Sequence, residues 1–207
     1  SALAFARANG LKVSVAAIHH SMGGHAFDDN ALVLDMREFN RVNVDEASRT
    51  MSVQPGATWH DIQNLLHPRF AVKAMQSTDI FSVGGSISVN AHGMDHQSGA
   101  VSGSIRSLRV MLADGSVATC SPNENSELFR HVVGGYGLFG VVLSAALEIV
   151  ENAVYQTGRE VIRSDDFPAW FAETLAPNKE IGLFYGHLST ARANFLEDMI
   201  VYRYDRV

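Results

Sequence analysis

Gly135, Gly137 and Gly140 carry a Gly-x-Gly-x-x-Gly spacing, yet their neighbours come in an order that limits what this chain can fold into. In a dinucleotide-binding doubly wound sheet the spacing follows a strand and opens a helix. Here Asn123 to Ser126 cap a helix running through Val133, and the apolar, strand-like residues 141–150 come after the glycines. No acidic residue stands where it would hold a ribose. The glycines therefore mark a tight helix-to-strand corner that also brushes a ligand. The rest of the chain mixes strands and helices without strict strand-helix-strand alternation, and the expected fold class is α+β.

Residues 1–9 are Ala-rich with apolar positions at helical spacing, and Gly10 supplies a stop. Residues 11–15 and 31–36 read as strands flanking a polar, His- and Gly-rich loop at 18–29. Residues 42–44 and 50–53 read as two more. Thr58 is placed to cap a helix over 59–66, with Trp59, Ile62, Leu65 and Leu66 on one face and Pro68 beyond its end. Residues 105–112 and 117–120 form a hairpin around Ala113-Asp114-Gly115-Ser116. A change of texture near residue 152 suggests two domains, 1–152 and 153–207. In the second, residues 166–175 read as a helix after an Asp-Asp cap, and 181–188 and 199–203 as strands. Residues 198–207 look like a strand that stops without a partner, so both ends of the chain are expected to be incomplete.

Residues 82–93 place bare backbone, hydroxyls, an amide and an imidazole side by side. Gly84 and Gly85 can take positive φ and bring N–H groups close to an oxyanion, while Ser86 and Ser88 add hydroxyls. A Gly-Ser turn entering a short helix or strand explains the glycines but leaves Asn90 and His92 without a purpose. A second donor-rich loop, residues 19–25, follows the first strand. Together the two loops suit a pyrophosphate held by backbone N–H groups without a basic cluster.

Other chemistries fare worse. The net charge of -6 and the lack of a basic run argue against nucleic acid. His19, His20, His25, His92 and His96 show no repeated ligand spacing, and no metal site is assigned. Ser21 lacks the Gly-x-Ser-x-Gly turn of a hydrolase nucleophile. The single cysteine, Cys120, excludes an internal disulfide. No apolar run is long enough to span a bilayer, and a cytoplasmic location is the default expectation.

Six ordered blocks now resemble the FAD-binding (PCMH-type) fold of the vanillyl-alcohol oxidase and p-cresol methylhydroxylase superfamily. Ile18-His19-His20-Ser21-Met22-Gly23-Gly24 is similar to its Gly-His-Ser-x-x-Gly loop, with His19 in place of the usual glycine. The other blocks are Val53-Gln54-Pro55-Gly56-Ala57-Thr58-Trp59, Val83-Gly84-Gly85, Ala113-Asp114-Gly115, Glu127-Leu128-Phe129 and Gly135-Tyr136-Gly137-Leu138-Phe139-Gly140-Val141-Val142. Asn90-Ala91-His92-Gly93-Met94-Asp95-His96 and Ile105-Arg106-Ser107 most resemble decaprenylphosphoryl-ribose oxidases and related sugar or lactone oxidases.

The resemblance implies FAD as cofactor. Residues 15–25, with His19, His20, Ser21, Met22, Gly23, Gly24 and His25, would wrap the pyrophosphate. Ser82, Val83, Gly84, Gly85 and Ser86, then Val89, Asn90, Ala91, His92 and Gly93, would run along the diphosphate and flavin, with Val142 on the adenine side. His20 stands where many members bond the flavin covalently, and His92 is the candidate to tune the ring or meet substrate. The implied activity is an FAD-linked oxidase or dehydrogenase taking a hydride from an alcohol carbon of a sugar-like small molecule, its electron acceptor open and this chain inactive alone. A flavin-dependent reductase acting on cell-wall precursors and a non-catalytic flavin-binding module are the alternatives.

Overall fold

The computed structural model describes residues 2–207, which form two compact units, one of residues 2–93 and 99–151, the other of residues 94–98 and 152–207. The fold is mixed α+β. Among the described residues no helix is long and apolar enough to cross a membrane.

The larger unit opens with helix α1 (Ala2–Ala8), closed by Gly10 at φ +63°. Strands β1 (Lys12–Ala16) and β2 (Ala31–Asp35) then pair in parallel, Lys12 opposite Ala31. Parallel neighbours need a long crossover, and residues 17–30 supply it as an irregular arch with no helix. That arch is therefore held at both feet by the ladder.

Strands β3 (Val42–Asp45), β4 (Thr50–Val53), β6 (Ile105–Met111), β7 (Val117–Cys120) and β8 (Val141–Glu151) form an antiparallel sheet in the order β3-β4-β8-β6-β7. Short β5 (Phe70–Val72), which the periodicity does not announce, pairs with the far end of β8. Eleven residues long, β8 reaches three partners because its buried positions alternate along one face. The core gathers on the sheet from Met51, Leu108, Val110 and Leu147.

Helix α2 (Trp59–Leu66) starts as its sequence indicates, Thr58 Oγ1 accepting from the Asp61 N–H. Trp59, Ile62 and Leu66 are buried, but Leu65, expected on the same face, is 55% exposed. The apolar stripe is one position narrower than its hydrophobicity suggests. Helix α4 (Ser126–Val132) ends at Val133, and the glycine corner follows.

Helix α3 (Val83–Ser88) is the least expected element, since Val-Gly-Gly-Ser-Ile-Ser has poor helix propensity. Tertiary bonds hold it. The Val83 and Gly84 N–H groups donate to the Ala57 and Pro55 carbonyls, and Ser82 caps with its Oγ on the Gly85 N–H. A Cβ at residue 84 would lie 2.6 Å from Pro55 Cβ, so glycine is required by close packing. Neither Gly84 nor Gly85 has positive φ, unlike the sequence expectation.

In the smaller unit, β9 (Tyr155–Arg163), β10 (Ile181–Leu188) and β11 (Asp198–Arg206) form an antiparallel sheet in the order β10-β11-β9. This corrects the expectation of an unpartnered final strand: β11 is the middle strand and pairs along its whole length with β9. Helix α5 (Phe167–Trp170) runs on into one wide turn, Phe171–Leu175. Its Phe167 and Trp170 rings lie 5.9 Å from Phe184 on β10, and Trp170 Nε1 donates to Glu160 on β9. Residues 94–98 join this sheet through the Phe184 N–H to the Met94 carbonyl and Gln97 Nε2 to the Ile181 carbonyl.

Candidate functional site

Within the larger unit, α1, the arch at 17–30, α3 and the glycine corner surround a cavity of about 940 Å³. Small-molecule sites run to about 1,000 Å³, so this one suits an extended ligand. Strand β1 lines it with residues 13–16 and delivers the arch at its carboxyl end. Such strand ends are where α/β sheets commonly receive ligands, because the connecting loop there is free of ladder bonds.

The arch contributes His19, His20, Ser21 and His25 to the lining. His19 adopts φ +58° and meets Phe27 edge-on at 5.4 Å. His20 meets Phe81 edge-on at 5.4 Å, and the His25 ring lies 5.8 Å from Tyr136. Met22, Gly23 and Gly24 belong to the same arch but not to the lining, and Met22 is fully exposed. The N–H groups of residues 18–23 donate to no backbone or side-chain acceptor among the described residues. They form a run of available donors suited to phosphate oxygens, which is the arrangement a pyrophosphate needs.

From the second predicted segment, Ser82, Gly84, Gly85, Ser86 and Val89 line the cavity. Their role differs from a free oxyanion cradle. The N–H groups of Val83, Gly84 and Gly85 are already engaged by Ala57, Pro55 and Ser82, so this segment offers surface and side chains more than backbone donors. Val83 and Ala91 are buried supports. Asn90, at φ +47°, accepts the Ser102 N–H on its Oδ1. His92 is exposed and bridges to Ala100, and Gly93 packs so closely that a Cβ would lie 1.8 Å from the Met75 carbonyl oxygen. Neither His92 nor Gly93 lines the cavity. Val142 does, paired opposite Val110.

Several lining residues carry no signal in a motif search. Arg7 on α1 donates to the Ala113 carbonyl, and Asp28, whose carboxyl is held below its ordinary range by a hydrogen bond from Lys12, closes one edge. Tyr136, at φ +52°, and Gly137, at φ +76°, turn the glycine corner toward the arch. Gln76, in the connection before α3, reaches the cavity from beneath a buried polar cluster. Trp59 Nε1 lies 2.9 Å from both Gln76 Oε1 and Ser86 Oγ, and Ser86 Oγ lies 2.8 Å from Gln76 Oε1 and 2.9 Å from the Ser82 carbonyl oxygen.

Residues 1–121 match the model of a family described as an FAD binding domain. An uncharacterized oxidoreductase in the fasciation locus of Rhodococcoides fascians is 34% identical over 162 residues, covering 77% of this chain and 36% of that protein. Decaprenylphosphoryl-beta-D-ribose oxidase of Mycolicibacterium smegmatis is 30% identical over 167 residues, 78% of this chain and 36% of its own length. L-gulonolactone oxidase of Mus musculus is 30% identical over 176 residues, 79% and 39% respectively. The chain thus spans little more than a third of the length of these relatives.

Proposed function

The chain belongs to the FAD-binding domain family, and we propose that its cavity holds FAD for an oxidoreductase that oxidises an alcohol carbon of a hydroxylated, sugar-like small molecule. The observation that carries this reading is the arch at 17–30, where Ile18, His19, His20 and Ser21 combine unengaged N–H groups with a place in the lining of a cavity of about 940 Å³. Bound FAD supplies a two-electron acceptor, which no side chain can provide.

The chain's own part is to bind and orient. The N–H groups of residues 18–21, with the His19, Ser21 and His25 side chains around them, hold the pyrophosphate. Ser82, Gly84, Gly85, Ser86 and Val89 present the face along which the rest of the cofactor lies, and Val142 stands at the adenine side. His20, edge-on to Phe81, is the anchor if the flavin is covalently attached. His92, exposed on the bridge to Ala100 and outside the cavity lining, is the candidate to meet substrate. The sugar-like substrate class rests on what the M. smegmatis and mouse relatives are named for.

The visible spectrum of the purified protein tests the reading. We expect flavin absorbance at one equivalent, released by acid or retained on the precipitate. Colourless protein that takes up no added FAD would sink it. Acid-stable flavin that persists in His20→Ala would remove His20 as the anchor.

A further inference from the structure

We infer that Gln76 is a cofactor-contact residue whose side-chain amide donates a hydrogen bond to an acceptor of the flavin ring system. The inference rests on the FAD reading of the cavity and adds a residue that no motif marks.

The orientation of the amide is set by its anchor. An indole N–H can only donate, and the Gln76 carbonyl oxygen, 2.9 Å from Trp59 Nε1, is the amide atom that suits this contact, since an amide N–H there would set donor against donor. Ser86 Oγ, 2.8 Å away, meets the same oxygen. Both anchors are immobile, since Trp59 and Ser86 are wholly buried and sit on α2 and α3. With its oxygen held from below, Gln76 turns its Nε2 the other way, and this group has no acceptor among the described residues. Gln76 lines the cavity, which leaves the two Nε2 donors as the part of its side chain available to a cofactor there.

The setting selects the kind of acceptor. Gln76 is uncharged, and Pro55 and Phe81 line the wall near Ser86 and α3. Phosphate oxygens have the N–H run of residues 18–23. A neutral, preorganised amide against apolar and aromatic wall suits the carbonyl oxygens or ring nitrogens of a flat heterocycle.

The test compares Gln76→Glu and Gln76→Leu with the unmodified protein, each loaded with FAD, by visible spectrum, two-electron potential and FAD dissociation constant. Gln76→Glu keeps the oxygen that Trp59 and Ser86 hold and replaces only the outward N–H pair. We expect Gln76→Leu to weaken FAD about three- to tenfold, as loss of one hydrogen bond does, and to shift the flavin bands and lower the potential. Gln76→Glu should weaken FAD further and lower the potential more, because a carboxylate opposes negative charge on the reduced ring. Should the Leu variant fail to fold, the Glu variant carries the test. Trp59→Phe, which frees the amide to rotate, should give a smaller spectral shift of the same sign. Bands and potential that stay put in both Gln76 variants would overturn the inference, even with weaker FAD, since that pattern belongs to a phosphate contact or to packing. Failure of the unmodified protein to bind FAD would instead overturn the functional reading on which this one rests.

Discussion

At residue 84 a single methyl group decides whether α3 can dock. Its Cβ would lie 2.6 Å from Pro55 Cβ and 3.0 Å from the Pro55 carbonyl oxygen, whereas a Cβ at residue 85 meets only Ser82 Oγ, at 3.1 Å. Gly84→Ala should therefore cost about 1–3 kcal/mol through overpacking, and Gly85→Ala much less, because alanine also favours the helix. Urea denaturation of both variants checks the order. Glu148 gives a second prediction. A hydrogen bond from Lys73, with Arg106 beside it, holds its carboxyl below the ordinary 4.5. A depressed carboxylate stabilises the fold fully above its unfolded value and loses that contribution as pH falls through the folded one. Unfolding measured from pH 6 downward should thus steepen below about pH 4.5, and Glu148→Gln should flatten that slope.

On the scale of elements, α2 separates hydrophobicity from burial. Ile62 is wholly buried and Leu65 is 55% exposed, although both are large and apolar. Ile62→Ala should destabilise by about 2–5 kcal/mol, while Leu65→Ala should stay within about 0.5 kcal/mol, as chemical denaturation would show. Periodicity places α2, and Thr58 places its start, because both signals are local. Local signals mislead at α3, whose glycines speak against a helix that Pro55 and Ala57 impose from outside. The same holds for β9: Gly158 and its charged residues make a polar stretch, and pairing with β11 makes it a strand. Edge strands take their ladder bonds from one neighbour, so their own sequence need not show strong alternation.

Across the whole molecule, the cavity belongs to the larger unit and should couple that unit's stability to its ligand. A ligand at one hundred times its dissociation constant adds about 2.7 kcal/mol to the folded state. The chain has two tryptophans, Trp59 beside the cavity network and Trp170 in the smaller unit. A Trp170→Phe variant leaves Trp59 as the only indole, and its unfolding midpoint, followed by fluorescence, should rise with added FAD. An unmoved midpoint would disconnect Trp59 and its neighbours from the ligand.

The reversed glycine spacing at residues 135–140 excluded a doubly wound sheet without any coordinates, because the order of strand, turn and helix is written along the chain. The donor-rich character of residues 19–25 is equally a matter of composition. Tertiary structure decided which donors are free: the Gly84 and Gly85 N–H groups, bare by sequence, are consumed in docking α3, while those of residues 18–23 remain open in the arch. It also placed Gln76, which no spacing marks, under the control of Trp59 and Ser86. A hydrogen bond is satisfied by whatever lies nearby in space, and that proximity is set by packing between segments far apart in the chain.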